Sequence, residues 1–203
     1  MRSLLVASRR SERPARDAEV RALLKRHLVG DHAGASTVIL DELGLCQGNV
    51  RVDVAAVNGE LAGFEIKSPA DRLTRWPKQC RVYSKVVDRA WLVAPEKTLT
   101  AADAPAWWGL VVVVQTATQL GLRVVRDAQP NPRVDAYSLA RLLWRDEAIH
   151  ILDEHGLARG FRTRPRRVIW RRLANEVPLD NLRRAVRGAL KIRPGRIAEL
   201  KRE

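Results

Sequence analysis

The chain has 203 residues, 46% hydrophobic and 30% charged, with a formal net charge of +14. That is enough apolar material for one domain with a substantial extension, or two small domains, and too much charge for a membrane-embedded chain. No apolar run approaches the ~20 residues of a membrane helix, and the short apolar stretch in MRSLLVASRR cannot serve as a signal-peptide core, so a cytoplasmic protein without a membrane partner is expected.

Val20, Leu23, Leu24 and Leu28 fall on one stripe, which predicts a helix over residues 17–28. Gly30 and Gly34 bracket a loop. Residues 36–43 read as a first strand, 50–57 as a second and 61–67 as a third, with Asn58-Gly59 at the turn between the last two. Pro69 and Asp71 end the third strand and open a helix that takes Pro77 in its first turn and runs to about Val87. Residues 90–94 form a short strand stopped by Pro95. A loop is expected through Pro105, then a second hairpin from 110–114 and 122–125. Beyond Pro130 and Pro132 the pattern turns helical. Residues 135–154 read as one long amphipathic helix, ended by Gly156 and Gly160. Another helix follows Pro165, and Asp180 is the N-cap candidate for a last one. This order implies an α/β core with an extra hairpin over residues 1–130, and a basic helical C-terminal region over 131–203.

Within the predicted strands, three charged residues stand out. Asp is disfavoured in strands, yet Asp53 lies in the second; Glu65 and Lys67 lie two apart in the third and so project to one face. Glu42, in Ile39-Leu-Asp-Glu-Leu43, adds a carboxylate from the first strand, with Asp41 as the alternative on the opposite face and Glu19 on the first helix as a more remote one. Carboxylates converging at a sheet edge, with no Cys or His nearby in sequence, make a hard-oxygen site suited to Mg²⁺, with Mn²⁺ as a substitute. Glu42, Asp53 and Glu65 are the metal-ligand candidates, and Lys67 is placed to orient water and offset charge developing on a phosphate. The bland alternative is a solvent-facing strand pair with Lys67 as a cross-strand partner.

The site imposes a condition on the turn. Residues directly opposite in an antiparallel pair share a face. A two-residue Asn58-Gly59 loop sets Asp53 opposite Phe64; a three-residue loop through Glu60 sets it opposite Glu65. The catalytic arrangement therefore predicts an odd-length loop or a bulge, although Asn-Gly is ordinarily a two-residue hairpin signal.

Asp53, the Glu65-Ile66-Lys67 run and the order of elements together resemble the PD-(D/E)xK nuclease superfamily. Val52 stands where the motif's Pro is expected. Gln79-Cys-Arg-Val-Tyr83 resembles the Q-x-x-x-Y motif of RecB-like members, with Gln79 and Tyr83 on one helical face. Arg51-Val-Asp53 and Glu65-Ile-Lys-Ser68 also resemble a small bacterial subfamily. The resemblance covers residues 17–94 and implies a restriction-endonuclease-like fold: helix, three antiparallel strands, helix, strand. It implies a Mg²⁺-dependent phosphodiester hydrolase with Asp53, Glu65, Lys67, Gln79 and Tyr83 as catalytic residues and DNA, ahead of RNA, as substrate. Homodimerisation to cut both strands is a further expectation of the family.

The positive charge is concentrated. Residues 159–203 hold fifteen Lys and Arg against four Asp and Glu. Such a field attracts polyanions, nucleic acid first among them. Arg166, Arg167, Arg171 and Arg172 around Pro165 are expected to contact the phosphate backbone, with Arg183, Arg184 and Arg187 as a second cluster. Arg51, Arg72 and Arg75 are the candidates nearer the acidic site. Trp76, Trp107 and Trp108 are base-stacking candidates, whereas Trp91, Trp144 and Trp170 sit in apolar stripes and are expected in the core. Two rival classes remain: a catalytically weak nucleic-acid-binding module on the same fold, and a basic scaffold that binds an acidic partner. Cys46 and Cys80, without metal-type spacing, are expected as free thiols.

Overall fold

The computed structural model describes residues 8–9, 17–30, 37–116 and 119–200. Its strands are β1 (Ser8–Arg9), β2 (Val38–Leu45), β3 (Val50–Val57), β4 (Leu61–Ile66), β5 (Arg89–Ala94), β6 (Gly109–Gln115) and β7 (Gln119–Arg126). Its helices are α1 (Asp17–Gly30), α2 (Trp76–Tyr83), α3 (Glu96–Ala101), α4 (Ala136–Ala140), α5 (Arg145–Glu154), α6 (Arg166–Glu176) and α7 (Leu179–Leu200). The strands form one mixed sheet in the order β1-β7-β6-β5-β4-β3-β2. β4, β5 and β6 run parallel and the remaining neighbours antiparallel. The chain is thus a mixed α/β structure.

Helices cover both faces. On one, the predicted stripe of α1 packs Val20, Leu23, Leu24 and Leu28 against Val54, Ala56, Phe64 and Trp91. On the other, Tyr83 and Val86 join Leu92, Trp108 and the buried residues of α4 to α7 in one continuous cluster. The helical C-terminal region therefore shares its core with the sheet. Leu139, Ile169, Leu173, Leu182 and Leu190 are all at most 2% exposed, each worth roughly 1.5–3 kcal/mol of burial.

The loop between β3 and β4 has three residues. Val57 pairs with Leu61, and the ladder continues through Val54 and Phe64. Asn58 closes the loop, its side-chain oxygen accepting from the Glu60 amide at 3.0 Å. This is the odd length that the acidic site requires, so Asn-Gly does not act as a two-residue turn here.

One irregularity runs across two strands. β2 and β3 keep a constant register, but Glu42 and Asp53 drop out of the ladder between the pairs Asp41–Val54 and Leu43–Val52. Glu42 has φ of 52°, a left-handed conformation that costs a non-glycine residue about 1 kcal/mol or more. The facing reverses there. Val50 and Val52 pack with the C-terminal helices, whereas Val54 and Ala56 pack with α1.

Three expectations are corrected. The expected loop before Pro105 contains α3, which starts immediately after Pro95. The long helix expected over 135–154 is two helices, because Arg193 and Trp170 take the carbonyls of Leu142 and Leu143, and the Glu147 carboxylate accepts the Trp144 amide. α7 starts at Leu179, so Asp180 lies within its first turn and pairs with Arg183 at 3.1 Å instead of capping it. The stop at Gly156 is as expected. Its φ of 69° lets the amides of Gly156 and Leu157 return to Asp153 and Leu152. Ser36 and Gly34 lie outside the described residues.

Candidate active site

Beyond the Val54–Phe64 pair β3 and β4 part, and the Asp53 carboxylate enters the gap. Its Oδ2 accepts the Ile66 amide at 2.8 Å, replacing a ladder bond by a side-chain bond. Glu65 follows on β4 and is 2% exposed. A buried carboxylate must be surrounded by donors, and three reach it. Lys67 Nζ donates to Glu65 Oε1 at 2.6 Å, and Gln79 Nε2 donates to the same oxygen. Tyr83 Oη donates to Oε2 at 2.7 Å. The i, i+4 spacing on α2 brings Gln79 and Tyr83 to one carboxylate. Gly63 makes room for this contact: a Cβ there would stand 3.1 Å from the Tyr83 ring.

Arg21 on α1 is a member of the site that sequence reasoning missed. Its Nη1 donates to the Asp53 carbonyl at 2.7 Å and lies 2.8 Å from Glu42 Oε1; its Nη2 meets Asp17 at 3.2 Å and Asp53 Oδ1 at 3.5 Å. The left-handed turn at Glu42 is what leaves the Asp53 carbonyl open to Arg21. The usable signal was the i, i+4 pair Asp17 and Arg21, just off the apolar stripe. Glu19 is not among the residues lining the cleft, and Asp41 turns to Lys25 at 2.6 Å.

Glu42 does reach the cleft but is held there by two guanidiniums, Arg21 and, at 3.4 Å, Arg51. Arg51 pairs with Glu42 and not with Glu65. Burial raises the Asp53 pKa to about 7, with the nearby Glu65 charge adding to the rise and the Ile66 amide and Arg21 opposing it. Burial, then Glu65, pushes the Tyr83 hydroxyl well above its ordinary value, which keeps it a donor. Burial likewise pushes the Cys80 thiol up to about 12, so it is inert as a nucleophile. Cys46 and Cys80 are both free.

The donor chemistry can be tested against a divalent cation. Among the described residues no cluster of three or more His, Cys, Asp or Glu side chains is grouped as a metal cage. Glu65 Oε1 has both lone-pair positions taken, whereas Oε2 has one donor and Asp53 Oδ1 has only the long Arg21 contact. Two carboxylate oxygens are therefore free to bind, and Asp53 and Glu65 repel each other until a cation or proton intervenes. Mg²⁺ is commonly held by one or two carboxylates plus substrate oxygens, so the pair fits it.

The cleft over this pair has a volume of about 850 Å³. Arg51, Arg72, Arg75 and Lys78 line it and are exposed. The C-terminal arginines divide. Arg166, Arg167 and Arg171 are exposed, but Arg172 packs over Phe161 and pairs with Glu176 at 2.9 Å. The second cluster is an internal clamp: Arg183 and Arg187 both hold Asp88, at 3.2 and 3.1 Å, while Arg184 stays exposed. Part of this positive charge is thus neutralised inside the chain. Trp76 and Trp108 are not stacking platforms; both are buried, edge to face at 4.9 Å, with Trp107 packed alongside. Trp91 and Trp170 are buried as expected, and Trp144 is half-buried under Arg193.

Comparison with known proteins gives three matches. The family model described as Bacteriophage P4 protein cII matches residues 10–197. Protein cII of Enterobacteria phage P4 is 23% identical over 180 residues, covering 88% of this chain and 67% of that protein. A solved protein of unknown function from Silicibacter pomeroyi aligns with a TM-score of 0.42 at 21% identity, over 72% of this chain and 90% of the other.

Proposed function

The chain belongs to the bacteriophage P4 protein cII family, and from the site it carries we propose that it is a metal-dependent nuclease hydrolysing DNA phosphodiester bonds on a restriction-endonuclease-like core. The observation that carries this reading is the meeting of Asp53, in the gap between β3 and β4, with Glu65 on β4 and Lys67 just past its end, under Gln79 and Tyr83 of α2. A solvent-facing ion pair needs neither a 2% exposed glutamate nor three donors upon it.

Asp53 and Glu65 would hold Mg²⁺ or Mn²⁺, which supplies positive charge to the phosphoryl oxygens and activates water when bound. Gln79 and Tyr83 fix the Glu65 carboxylate in one orientation. Lys67, held at 2.6 Å from Glu65, places its ammonium where it orients the attacking water and offsets charge growing on the phosphate. Arg51, Arg72 and Arg75 line the cleft and position the phosphate backbone, while Arg166, Arg167 and Arg171 offer further contacts. Arg172 is engaged by Glu176 and is assigned to structure.

The second reading is a nucleic-acid-binding module without turnover. The observation favouring it is that Glu42, the third carboxylate of the cleft, is neutralised by Arg21 and Arg51. Purified protein incubated with single- and double-stranded DNA and RNA, in Mg²⁺, in Mn²⁺ and in chelator, separates the two. Metal-dependent shortening of DNA supports the nuclease. Binding without shortening of any substrate supports the module.

A further inference from the structure

Resting on the nuclease reading, we propose a second phosphate-binding site for the same nucleic acid, across the β2–β3 turn from the catalytic cleft. A separate cavity of about 420 Å³ lies there, lined by Gln47, Arg141, Trp144, Arg166, Trp170 and Arg193. Gln47 stands on its wall, whereas Gly48 and Asn49 stand on the wall of the cleft. Residues two apart have Cα atoms separated by at most ~7 Å, so one thin turn divides the two cavities. A strand leaving the cleft over Asn49 meets Gln47 and then this cavity.

The charges at the cavity are unequal. Arg193 is neutralised by Glu147 at 2.5 Å and is structural. Arg141 and Arg166 have no carboxylate partner among the described residues, nor do the exposed Arg167 and Arg171 beside them. Three of the four lie against aromatic rings. Arg166 lies over Trp170 at 5.5 Å, and Arg141 and Arg171 approach the same Tyr137 ring at 5.8 and 6.0 Å. A planar guanidinium with free donors matches phosphate oxygens, and a group of four without a counter-charge favours a polyanion.

The dividing turn is itself strained. Cys46, Gln47 and Gly48 have φ of 49°, 63° and 79°, three successive left-handed residues of which two are not glycine. Arg141 holds it, donating to the Cys46 carbonyl at 3.1 Å and to Gln47 Oε1 at 2.9 Å. The Gln47 and Asn49 side chains are exposed between two sets of arginines. The C-terminal region thus fixes the shape of a cleft wall and offers the next phosphate contact.

The test is binding in chelator, which is independent of turnover. Single-stranded oligonucleotides of about four and about sixteen nucleotides are titrated by fluorescence anisotropy against wild type, Arg166→Gln, Arg141→Gln and the double variant. The wild type should bind the longer strand at least ~10-fold more tightly. In Arg166→Gln that ratio should fall several-fold, and the salt slope on the longer strand should flatten by about 0.7 per phosphate no longer neutralised. Thermal melts check folding; if Arg141→Gln loosens the turn, Arg166→Gln alone decides. An unchanged ratio and slope in folded Arg166→Gln overturns the proposal, as does polyglutamate or inorganic phosphate displacing the longer strand as well as unlabelled DNA does. Loss of the ratio in a protein that cuts nothing keeps this site and removes only the nuclease reading.

Discussion

The Asp53 carboxylate accepts the backbone amide of Ile66 at 2.8 Å, in the gap where β3 and β4 part. That bond holds the acid beside Glu65 while leaving its other oxygen almost free. It also places a group with a pKa of about 7 at the heart of the site.

A pH dependence follows from that value. The pKa of Asp53 is higher folded than unfolded, so the native chain binds the proton more tightly. Its contribution to stability is full below the unfolded value near 4 and is lost as pH rises through about 7. Without metal, the protein should therefore become less stable between pH 5 and pH 8, and Asp53→Asn should flatten the profile and be the more stable protein at pH 8, by an amount on the order of a few kcal/mol. Denaturant melts across this range measure it. A divalent ion competes with the same proton, so added Mn²⁺ should raise the melting temperature more at pH 8 than at pH 6.

Tyr83 and Gly63 form a second test. Tyr83→Phe removes one donor from a buried carboxylate, a loss of about 1–3 kcal/mol. Gly63→Ala presses a methyl group to 3.1 Å from the Tyr83 ring and should displace its hydroxyl from Glu65. Both variants should lower the cleavage rate about tenfold or more, and their effects should not add, since each acts through one hydrogen bond. Kinetics of the two single variants and the double variant check this.

Arg193 and Glu147 tie α7 to α5 in a setting where both side chains are at most 10% exposed. Removing one partner leaves a buried charge. Arg193→Met and Glu147→Gln are each expected to cost about 3–5 kcal/mol, whereas a packed apolar pair at both positions should restore much of the loss. Urea unfolding of the four proteins decides.

Much of the site is visible in the residue pattern. Spacing of two in a strand brings Lys67 onto Glu65, and spacing of four in a helix brings Gln79 and Tyr83 onto the same carboxylate. The requirement that Asp53 stand opposite Glu65 is enough to prefer a three-residue loop over an Asn-Gly turn. What escapes a linear reading are partners distant in sequence. Arg21 is joined to Asp53 only by the docking of α1. The left-handed Glu42 carries no glycine to mark it. The break between α4 and α5 depends on Arg193 and Trp170, which take carbonyls from far along the chain. The C-terminal arginines show as charge in sequence, and only their partners separate Arg172, Arg183 and Arg187 from Arg166 and Arg167.

The most direct measurement pairs cleavage with binding in Lys67→Ala. Labelled DNA is incubated with Mg²⁺ and wild type or variant, and affinity is measured separately on the same DNA in chelator. The account predicts that wild type cuts, that the variant is at least ~100-fold slower, and that their affinities agree within a few-fold, because affinity rests on phosphate contacts away from Lys67. Cleavage by folded Lys67→Ala at the wild-type rate, or no cleavage by wild type in Mg²⁺ or Mn²⁺, contradicts it.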